Sequence, residues 1–218
     1  MKKVNNIISS KNIITLVTAS GKINSACNYK LSTEDAAFIN IGSSLAIDEI
    51  KKKINSNIIL TTKNKNSNCY RFNPYKGIDL CETGNTNSIV DTISKALENV
   101  STNWCLINPI TTIPSSNKFD KAFIEFGLEM IHKENWSSLI QDNNGMLLFI
   151  NKTNTKYFGI KSHPFTGRIF ARTDDIRLLI KKLKESEKDD LIYLAKKLFK
   201  YKKVEIRYTN WLDIGHNA

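Results

Sequence analysis

Several residue types are scarce in this chain, and each scarcity argues against a class of protein. Only 4 of the 218 residues are cysteines, and none of them forms a CxxC pair, so the sequence indicates neither a zinc site nor a disulfide framework. No stretch approaches about 18 consecutive apolar residues, which argues against a membrane-spanning helix. The amino terminus is basic but lacks a long apolar segment, and we therefore expect no secretory signal and a cytoplasmic location.

Arginine and glutamine are scarce as well. The 32 basic residues include only 5 arginines, and 1 glutamine stands against 25 asparagines. This abundance of lysine, asparagine and isoleucine is typical of an AT-rich genome, whereas nucleic-acid binders usually interleave arginine with aromatic residues. We therefore interpret most of the net charge of +11 as a solvated surface. We expect neither a nucleic-acid partner nor insertion into a membrane.

Short apolar runs alternate with amphipathic stretches and predict an α/β fold. Strands are expected at residues 12–17, 57–62, 77–81, 104–108, 146–150, 157–160 and 204–208, and helices at 43–54, 88–99, 119–131, 174–186 and 189–201. Ser43 or Ser44 is a natural N-cap for the first of these helices. The first half follows the order β-α-β-β-α-β, which implies a three-layer, Rossmann-like sheet with helices on both faces. We expect one domain over residues 1–218, which is compatible with the N-terminal part of a longer protein.

Ligands of such sheets bind beyond the carboxyl ends of the strands, and the first loop there is small and polar. It contains Ala19, Ser20, Gly21 and Lys22. Backbone N–H groups in a loop of this kind can surround a phosphate, and the lysine adds a positive charge. An ordinary turn between a strand and a helix would have the same composition, so the loop alone leaves both interpretations open.

A second polar turn precedes the helix at 88–99. It contains Thr83, Gly84, Asn85 and Thr86. Gly84 would let a ligand approach the backbone closely. Asn85 or Thr86 could instead cap the helix, and the local sequence favours this capping role.

The last residues combine a carboxylate with a histidine. Asp213 and His216 stand within a short segment after the final predicted strand. A carboxylate beside a histidine at a strand end can hold a divalent metal ion or orient a substrate. A turn residue and a helix start are the more common role for such a lone pair.

Taken together, these segments resemble the sugar-phosphate nucleotidyltransferase superfamily, and in particular its branch in bacterial capsule and surface-polysaccharide loci. The segment 211–217, Trp-Leu-Asp-Ile-Gly-His-Asn, resembles the W-x-D-x-G-H-x-N ending of that branch. The segment 38–47 resembles the family's L-L-P-I-G-G-K-P-L-I stretch, and 84–86 its G-T-A turn. The resemblance implies a mixed sheet of the GT-A-like type.

The resemblance also implies site residues, a cofactor and partners. Asp213 would be a catalytic carboxylate and a ligand of Mg²⁺, and Lys30 the catalytic lysine that follows the first loop. The loop 19–22 and the turn 83–86 would bind the nucleotide. Asn108, Thr111 and His216 would contact the substrate. The partners would be a nucleotide or a sugar phosphate, with a second, kinase-like catalytic domain fused to the chain or associated with it.

Because of two departures from the family pattern, two hypotheses remain open. The first loop keeps one glycine and lacks the arginine of the family's A-A-G-x-G-x-R. The segment 108–112, Asn-Pro-Ile-Thr-Thr, lacks the aspartate that holds Mg²⁺ in the family. One hypothesis is therefore a divergent enzyme that binds a nucleotide or nucleotide sugar. The alternative is a domain that keeps the fold without transferase activity and serves in binding, regulation or assembly.

Overall fold

A computed structural model of the chain describes residues 8–20, 40–63, 77–115, 118–128, 130–131, 136–157 and 160–214. The helices within these ranges are α1 (Ala46–Lys53), α2 (Ile89–Leu97), α3 (Thr173–Lys184) and α4 (Leu191–Tyr201). The strands are β1 (Ile13–Thr18), β2 (Asn40–Ile41), β3 (Ser44–Leu45), β4 (Asn57–Thr62), β5 (Ile78–Glu82), β6 (Trp104–Pro109), β7 (Thr112–Pro114), β8 (Phe123–Gly127), β9 (Met130–Ile131), β10 (Ser138–Gln141), β11 (Leu147–Ile150), β12 (Lys161–Arg172), β13 (Glu205–Thr209) and β14 (Trp211–Asp213). Two 3₁₀ turns, Ser10–Asn12 and Thr155–Tyr157, complete the described elements.

The central sheet has the strand order β5-β4-β1-β6-β12-β8-β13. Six of these strands run parallel, and β12 runs against its neighbours β6 and β8. All six parallel strands therefore end at one edge of the sheet, which we call the carboxyl edge. Because β12 is reversed, its first residues lie at that same edge. The mixed, Rossmann-like α/β architecture expected from the sequence is confirmed.

Helices cover both faces of the sheet, as a three-layer fold requires. One face packs against α2, α3 and α4 through a large apolar cluster that includes Leu16, Ile93 and Leu194. The opposite face packs against α1 through a second cluster that includes Val17 and Ile47. None of the described helices is long and apolar enough to cross a membrane.

The parallel half of the sheet agrees closely with the sequence expectation. Strands β1, β4, β5 and β6 and helices α1 and α2 lie within a few residues of the predicted positions. Their strands are continuous apolar runs because both faces are buried, and such runs are easily recognised. The expected cap of α1 is wrong, however. Leu45 occupies the N-cap position, and neither Ser43 nor Ser44 provides a side-chain cap.

Two predicted elements in the second half are wrong. The helix expected at 119–131 is replaced by β8 and β9. Every side chain of β8 is buried, and a fully buried strand cannot be distinguished from a helix by its periodicity. The strand expected at 157–160 is replaced by a 3₁₀ turn that ends at Tyr157, although residues 158–159 lie outside the described ranges.

The 12-residue strand β12 is absent from the sequence prediction. It contains Pro164 and Gly167, which normally argue against a central strand. The register of β12 against β8 shifts between Phe165 and Ile169, which accommodates Gly167, whereas Pro164 lies before the shift and opposite Ser138 of β10. Gly167 has a φ of +78°, and a Cβ there would lie 2.5 Å from Cγ of Pro109. The glycine therefore allows β12 to bulge against the end of β6.

Candidate functional site

Polar side chains gather at the carboxyl edge, as the sequence predicts. Thr18, Thr62 and Asn108 lie at the ends of β1, β4 and β6, and all three are buried. One side-chain oxygen of each has no hydrogen-bond partner within the described part of the chain. Buried polar atoms are nearly always paired in folded proteins. These three oxygens lie at the edge where sheets of this kind bind their ligands.

The first group of predicted site residues is connected through Thr92 on α2. Ser20 Oγ lies 3.2 Å from Thr92 Oγ1, and Thr86 Oγ1 lies 2.7 Å from the same atom. The residues after β1 and those after β5 are thus joined through one threonine hydroxyl. The backbone N–H of Ala19 donates to Thr61 Oγ1 at 3.0 Å and fixes the chain as it leaves β1. We call Ala19, Ser20, the turn 83–86 and Thr92 the hydroxyl side.

The turn at 83–86 is held firmly in place. Thr83 is buried, and both its N–H and its hydroxyl donate to the carbonyl of Thr62, at 2.9 Å and 3.0 Å. Lys95 Nζ donates to the carbonyl of Thr83 at 2.7 Å. Gly84 has a φ of +63°, a conformation that glycine adopts without strain. The turn is therefore rigid, and its glycine leaves the backbone open to close approach.

The helix cap expected at Asn85 or Thr86 is wrong. Ser88 caps α2, because its Oγ accepts a hydrogen bond from the N–H of Asp91 at 3.1 Å. The side chain of Thr86 is engaged with Thr92 instead. The turn is therefore not needed to start the helix, which leaves the nucleotide-binding interpretation of 83–86 as a prediction.

The second group lies around the end of β6. Asn108 is fully buried, and its Nδ2 donates to the carbonyls of Pro109 and Thr112 at 2.8 Å and 3.0 Å. The asparagine therefore shapes the turn that leads into β7. The N–H of Ile110 donates to the carbonyl of Thr18 at 3.2 Å. This bond ties the same turn to the end of β1 and so to the hydroxyl side.

Asp213 lies next to this turn, although the two are distant in sequence. Strand β14 pairs antiparallel with β7 and sets Asp213 opposite Thr112. The N–H of Ile214 donates to the carbonyl of Thr111 at 3.0 Å. Asp213 is 8% exposed. The structure thus brings together two predicted site segments, 108–114 and 211–213, that are about a hundred residues apart in the sequence.

A cavity of about 320 Å³ opens beside Asp213, and we call it the aromatic cavity. Its floor includes Thr166 and Gly167 at the bulge of β12. Thr112 Oγ1 donates to the carbonyl of Thr166 at 2.7 Å. The walls combine Trp136, Trp211, Lys152, Asp190 and Asp213, with Thr111 and Ser137 beside them. Ile89, the first residue of α2, also lines the cavity, so the aromatic cavity adjoins the hydroxyl side.

Sequence reasoning overlooked three of these lining residues as site residues. Lys152 follows β11 in what the sequence presents as an ordinary turn. Trp136 precedes β10 in a stretch without periodicity. Asp190 has the pattern of a helix cap, and it does cap α4, since its Oδ1 accepts from the N–H of Ile192 at 3.2 Å. The clearest signal available was tryptophan, because the chain has only 3 and 2 of them line this cavity.

The residues at the aromatic cavity do not by themselves fit a protein-made Mg²⁺ site. Within the described ranges, no three His, Cys, Asp or Glu side chains lie close enough together to hold a metal ion. Mg²⁺ is usually bound by one or two carboxylates plus phosphates and waters, and Asp213 supplies one carboxylate. Gly21, Lys22, Lys30 and His216 lie outside the described residues, so their predicted roles stay predictions.

The chain is similar in fold to nucleotidyltransferases of known structure. A protein from Bacillus anthracis assigned as a glucose-1-phosphate thymidylyltransferase, solved with sucrose, superposes with a TM-score of 0.71 at 14% identity, over 94% of this chain and 91% of its own. A nucleoside-diphosphate-sugar pyrophosphorylase from Vibrio cholerae gives 0.65 at 13% identity, over 89% and 92%. The 4-diphosphocytidyl-2C-methyl-D-erythritol synthase of Anaerococcus prevotii gives 0.60 at 15%, over 96% and 92%.

Neither a family model nor a curated protein matches the sequence. Identities of 13–15% show a shared fold and not a shared activity. The chain therefore has the mixed α/β fold of the nucleotidyltransferases, nearly complete over its own length and over theirs.

Proposed function

We propose that this chain is a divergent sugar-phosphate nucleotidyltransferase-like domain that binds a nucleotide or nucleotide sugar at the carboxyl edge. The observation that carries the proposal is the pairing of β14 with β7. It places Asp213 opposite Thr112, which follows the central strand β6, and beside the aromatic cavity. The resemblance of segment 211–217 adds a role in bacterial surface or capsular polysaccharide biosynthesis, in the cytoplasm.

In this proposal the two parts of the carboxyl edge bind the two different reactants. The hydroxyl side receives the nucleotide, since Ser20 and Thr86 present hydroxyls and Gly84 leaves the backbone accessible. The aromatic cavity receives the acceptor phosphate. An acceptor oxygen attacks the α-phosphorus of the nucleoside triphosphate, a new P–O bond forms, and the bond to pyrophosphate breaks. Lys152 contributes positive charge where two anions must approach each other.

The first experiment is a thermal titration with CTP, UTP, ATP and GTP, each with and without Mg²⁺. A ligand at about 100 times its Kd stabilises the folded state by ~2.7 kcal/mol, which raises the melting temperature by several degrees. No shift with any nucleotide at millimolar concentration would contradict the proposal. The arms without Mg²⁺ test whether the expected ion at Asp213 is required for binding.

Turnover is tested by pyrophosphate release with candidate sugar phosphates. Asp213→Ala should abolish release, and Asp79→Asn is the matched control, because Asp79 is an exposed aspartate on β5, the edge strand at the other end of the sheet. Unchanged release in the Asp213 variant would remove this residue from the mechanism.

A second candidate function is a domain that binds but does not transfer. It is favoured by the segment 108–114, which contains no carboxylate, and by the finding that no three potential metal ligands lie together within the described ranges. Such a domain would serve regulation or assembly beside a catalytic partner domain. A melting shift with a nucleotide, together with no pyrophosphate release for any acceptor, would establish this alternative over the enzyme.

A further inference from the structure

Strand β13 forms the border of the central sheet on the side away from β5. Within the described part of the chain it pairs with β8 alone. Natural sheets often protect such a border with lysine, proline or a bulge. Residues Glu205–Thr209 contain neither lysine nor proline, and their register against β8 is continuous. The outer side of β13, which we call the lateral edge, therefore lacks these protections.

The backbone of β13 presents hydrogen-bonding groups to the lateral edge. The N–H of Glu205 donates to the carbonyl of Ala122 at 2.9 Å, and the N–H of Leu128 donates to the carbonyl of Thr209 at 3.2 Å. The odd-numbered residues of β13 thus direct their backbone groups to β8. Because these groups alternate along a strand, those of the even-numbered residues, including Ile206, point to the lateral edge. No side chain of β13 is buried, so a further strand can reach this backbone.

The charges of β13 are complementary to those of a second copy of the chain. Glu205 and Arg207 lie on one face of the strand, with Arg207 Nη2 3.4 Å from Glu205 Oε2. In an antiparallel pair of two β13 strands centred on Ile206, Glu205 of each copy lies opposite Arg207 of the other. A pair centred on Glu205 or on Arg207 would instead set like charges opposite each other, which is destabilising. The charges therefore favour the register centred on Ile206.

The apolar side chains fit the same register. Ile206 would lie opposite its own copy, and Val204 opposite Tyr208, which is 45% exposed. Aromatic and β-branched side chains form favourable cross-strand pairs. Strand β5, at the other border, contains two acidic residues, Asp79 and Glu82, and no basic residue. Two copies of β5 could therefore not form opposite-charge pairs, whereas two copies of β13 can.

We infer that β13 pairs antiparallel with β13 of a second copy about a two-fold axis at Ile206, which makes the chain a symmetric dimer. The interface is isologous, because each strand presents the same residues to the other. The central sheets of the two copies then form one continuous sheet. No residue of β13 belongs to the hydroxyl side or lines the aromatic cavity, so the inference does not rest on the proposed function.

The first test is sedimentation equilibrium of the whole chain over a range of concentrations. We expect the unaltered chain to form a dimer. Glu205→Lys sets like charges opposite each other at both ends of the paired segment and should raise the dissociation constant about tenfold. A chain that stays monomeric up to millimolar concentration would overturn the inference, and so would a dimer that Glu205→Lys leaves unchanged.

Lys121→Met is the matched control for this charge change. Lys121 Nζ donates to Glu205 Oε1 at 2.6 Å in an exposed ion pair, and both variants break that pair. Only Glu205→Lys also alters the charges that face the second copy, so Lys121→Met should dimerise like the unaltered chain. Equal weakening by the two variants would contradict the inferred register.

Oxidative cross-linking tests the register directly. Ile206→Cys places two thiols across the two-fold axis, where the Cα atoms of a hydrogen-bonded pair lie about 5.5 Å apart, within the range that a disulfide spans. Thr209→Cys is the control on the same strand, since its two copies would lie about 20 Å apart. We expect Ile206→Cys to form a disulfide-linked dimer above the level of the unaltered chain, and Thr209→Cys to form none above it. Cross-linking of both variants, or of neither, would overturn the inferred pairing.

Discussion

The two parts of the carboxyl edge differ in the chemistry that they present. The hydroxyl side consists of small residues, and its organising contacts are hydroxyl to hydroxyl, as between Ser20, Thr86 and Thr92. The aromatic cavity combines two tryptophans with three charged side chains. A surface of hydroxyls and open backbone accommodates a phosphate of any nucleotide, whereas rings and charges discriminate between ligands. Under the proposed function, this difference makes the aromatic cavity the part of the edge that discriminates between ligands.

The largest expected effect is a loss of stability at the buried ion pair next to the floor of the aromatic cavity. Arg168 Nη1 donates to both carboxylate oxygens of Glu125 at 2.8 Å and 2.7 Å, and the Arg168 side chain is 1% exposed. Thr166, on the floor, donates to the Glu125 carbonyl at 3.0 Å. Arg168→Met should lower the free energy of unfolding by about 3–5 kcal/mol, because it leaves a buried carboxylate unpaired. Urea denaturation measures this change.

Two controls accompany this prediction. The double variant Arg168→Met/Glu125→Leu should recover much of the loss, since no charge is then left buried. Lys184→Met breaks the exposed pair with Asp91, in which Lys184 is 42% exposed, and should change stability by no more than about 1 kcal/mol. Equal losses from the buried and the exposed pair would contradict the account.

The next effect is expected at Gly127. Gly127→Ala places a methyl group where Trp211 Nε1 lies 2.4 Å away, and such overpacking costs about 1–3 kcal/mol. The indole must shift, so the variant should weaken the binding of the acceptor phosphate in the aromatic cavity and leave nucleotide-induced melting shifts intact. Gly145→Ala, at an exposed hairpin glycine with a φ of +78°, should also lose stability through backbone strain, but it should leave binding in the aromatic cavity unchanged. Loss of nucleotide binding in Gly127→Ala would show that the two parts of the edge are not separable.

A smaller effect is expected at Thr92, which organises the hydroxyl side. Thr92→Val removes the hydroxyl that contacts both Ser20 and Thr86 and should cost about 1–2 kcal/mol. It should reduce nucleotide-induced melting shifts without changing the binding of acceptor phosphates in the aromatic cavity. Thr92→Ser keeps the hydroxyl and should retain the nucleotide response. A valine variant that responds to nucleotides like the unaltered chain would remove Thr92 from the site.

The smallest effect concerns pH and charges away from both parts of the edge. Burial raises the pKa of Asp120, but hydrogen bonds from Lys118 and Arg207 outweigh it and lower the pKa from 3.8 to about 2. A lowered pKa stabilises the fold above the unfolded value and loses this contribution as pH falls through the folded value. The unaltered chain should therefore lose stability between about pH 4 and pH 2. Asp120→Asn should show a shallower loss in thermal melts over that range, and an identical loss would contradict the assignment.

The sequence predicted the parallel half of the fold because that half is encoded locally. Strands β1, β4 and β6 are short apolar runs, and α2 has its apolar residues at helical spacing. Strands β8 and β12 are determined by contacts distant in sequence. Position 167 requires glycine because a Cβ there would clash with Pro109, and the register of β12 against β8 shifts at the same place. No local pattern encodes that arrangement.

The candidate site divides in the same way. The turns 19–20 and 83–86 follow directly from the ends of predicted strands, so their position could be inferred from the sequence. Lys152 and Trp136 reach the aromatic cavity through the β10–β11 hairpin and the pairing of β10 with β12. Because β12 was missing from the prediction, nothing indicated that the residues before and after this hairpin would meet Asp213.

Because β12 runs opposite to its neighbours, its two ends have different structural roles. Its last residues, Ile169–Arg172, pair with β6 in the centre of the sheet, where substitutions would disturb the core. Its first residues pair with β9 and β10 at the carboxyl edge, and the bulge that follows supplies the floor of the cavity. The first part of the strand therefore positions the hairpin and the cavity floor, while the second part completes the centre of the sheet. The bulge at Gly167 thus connects the cavity to the core of the sheet through a single strand.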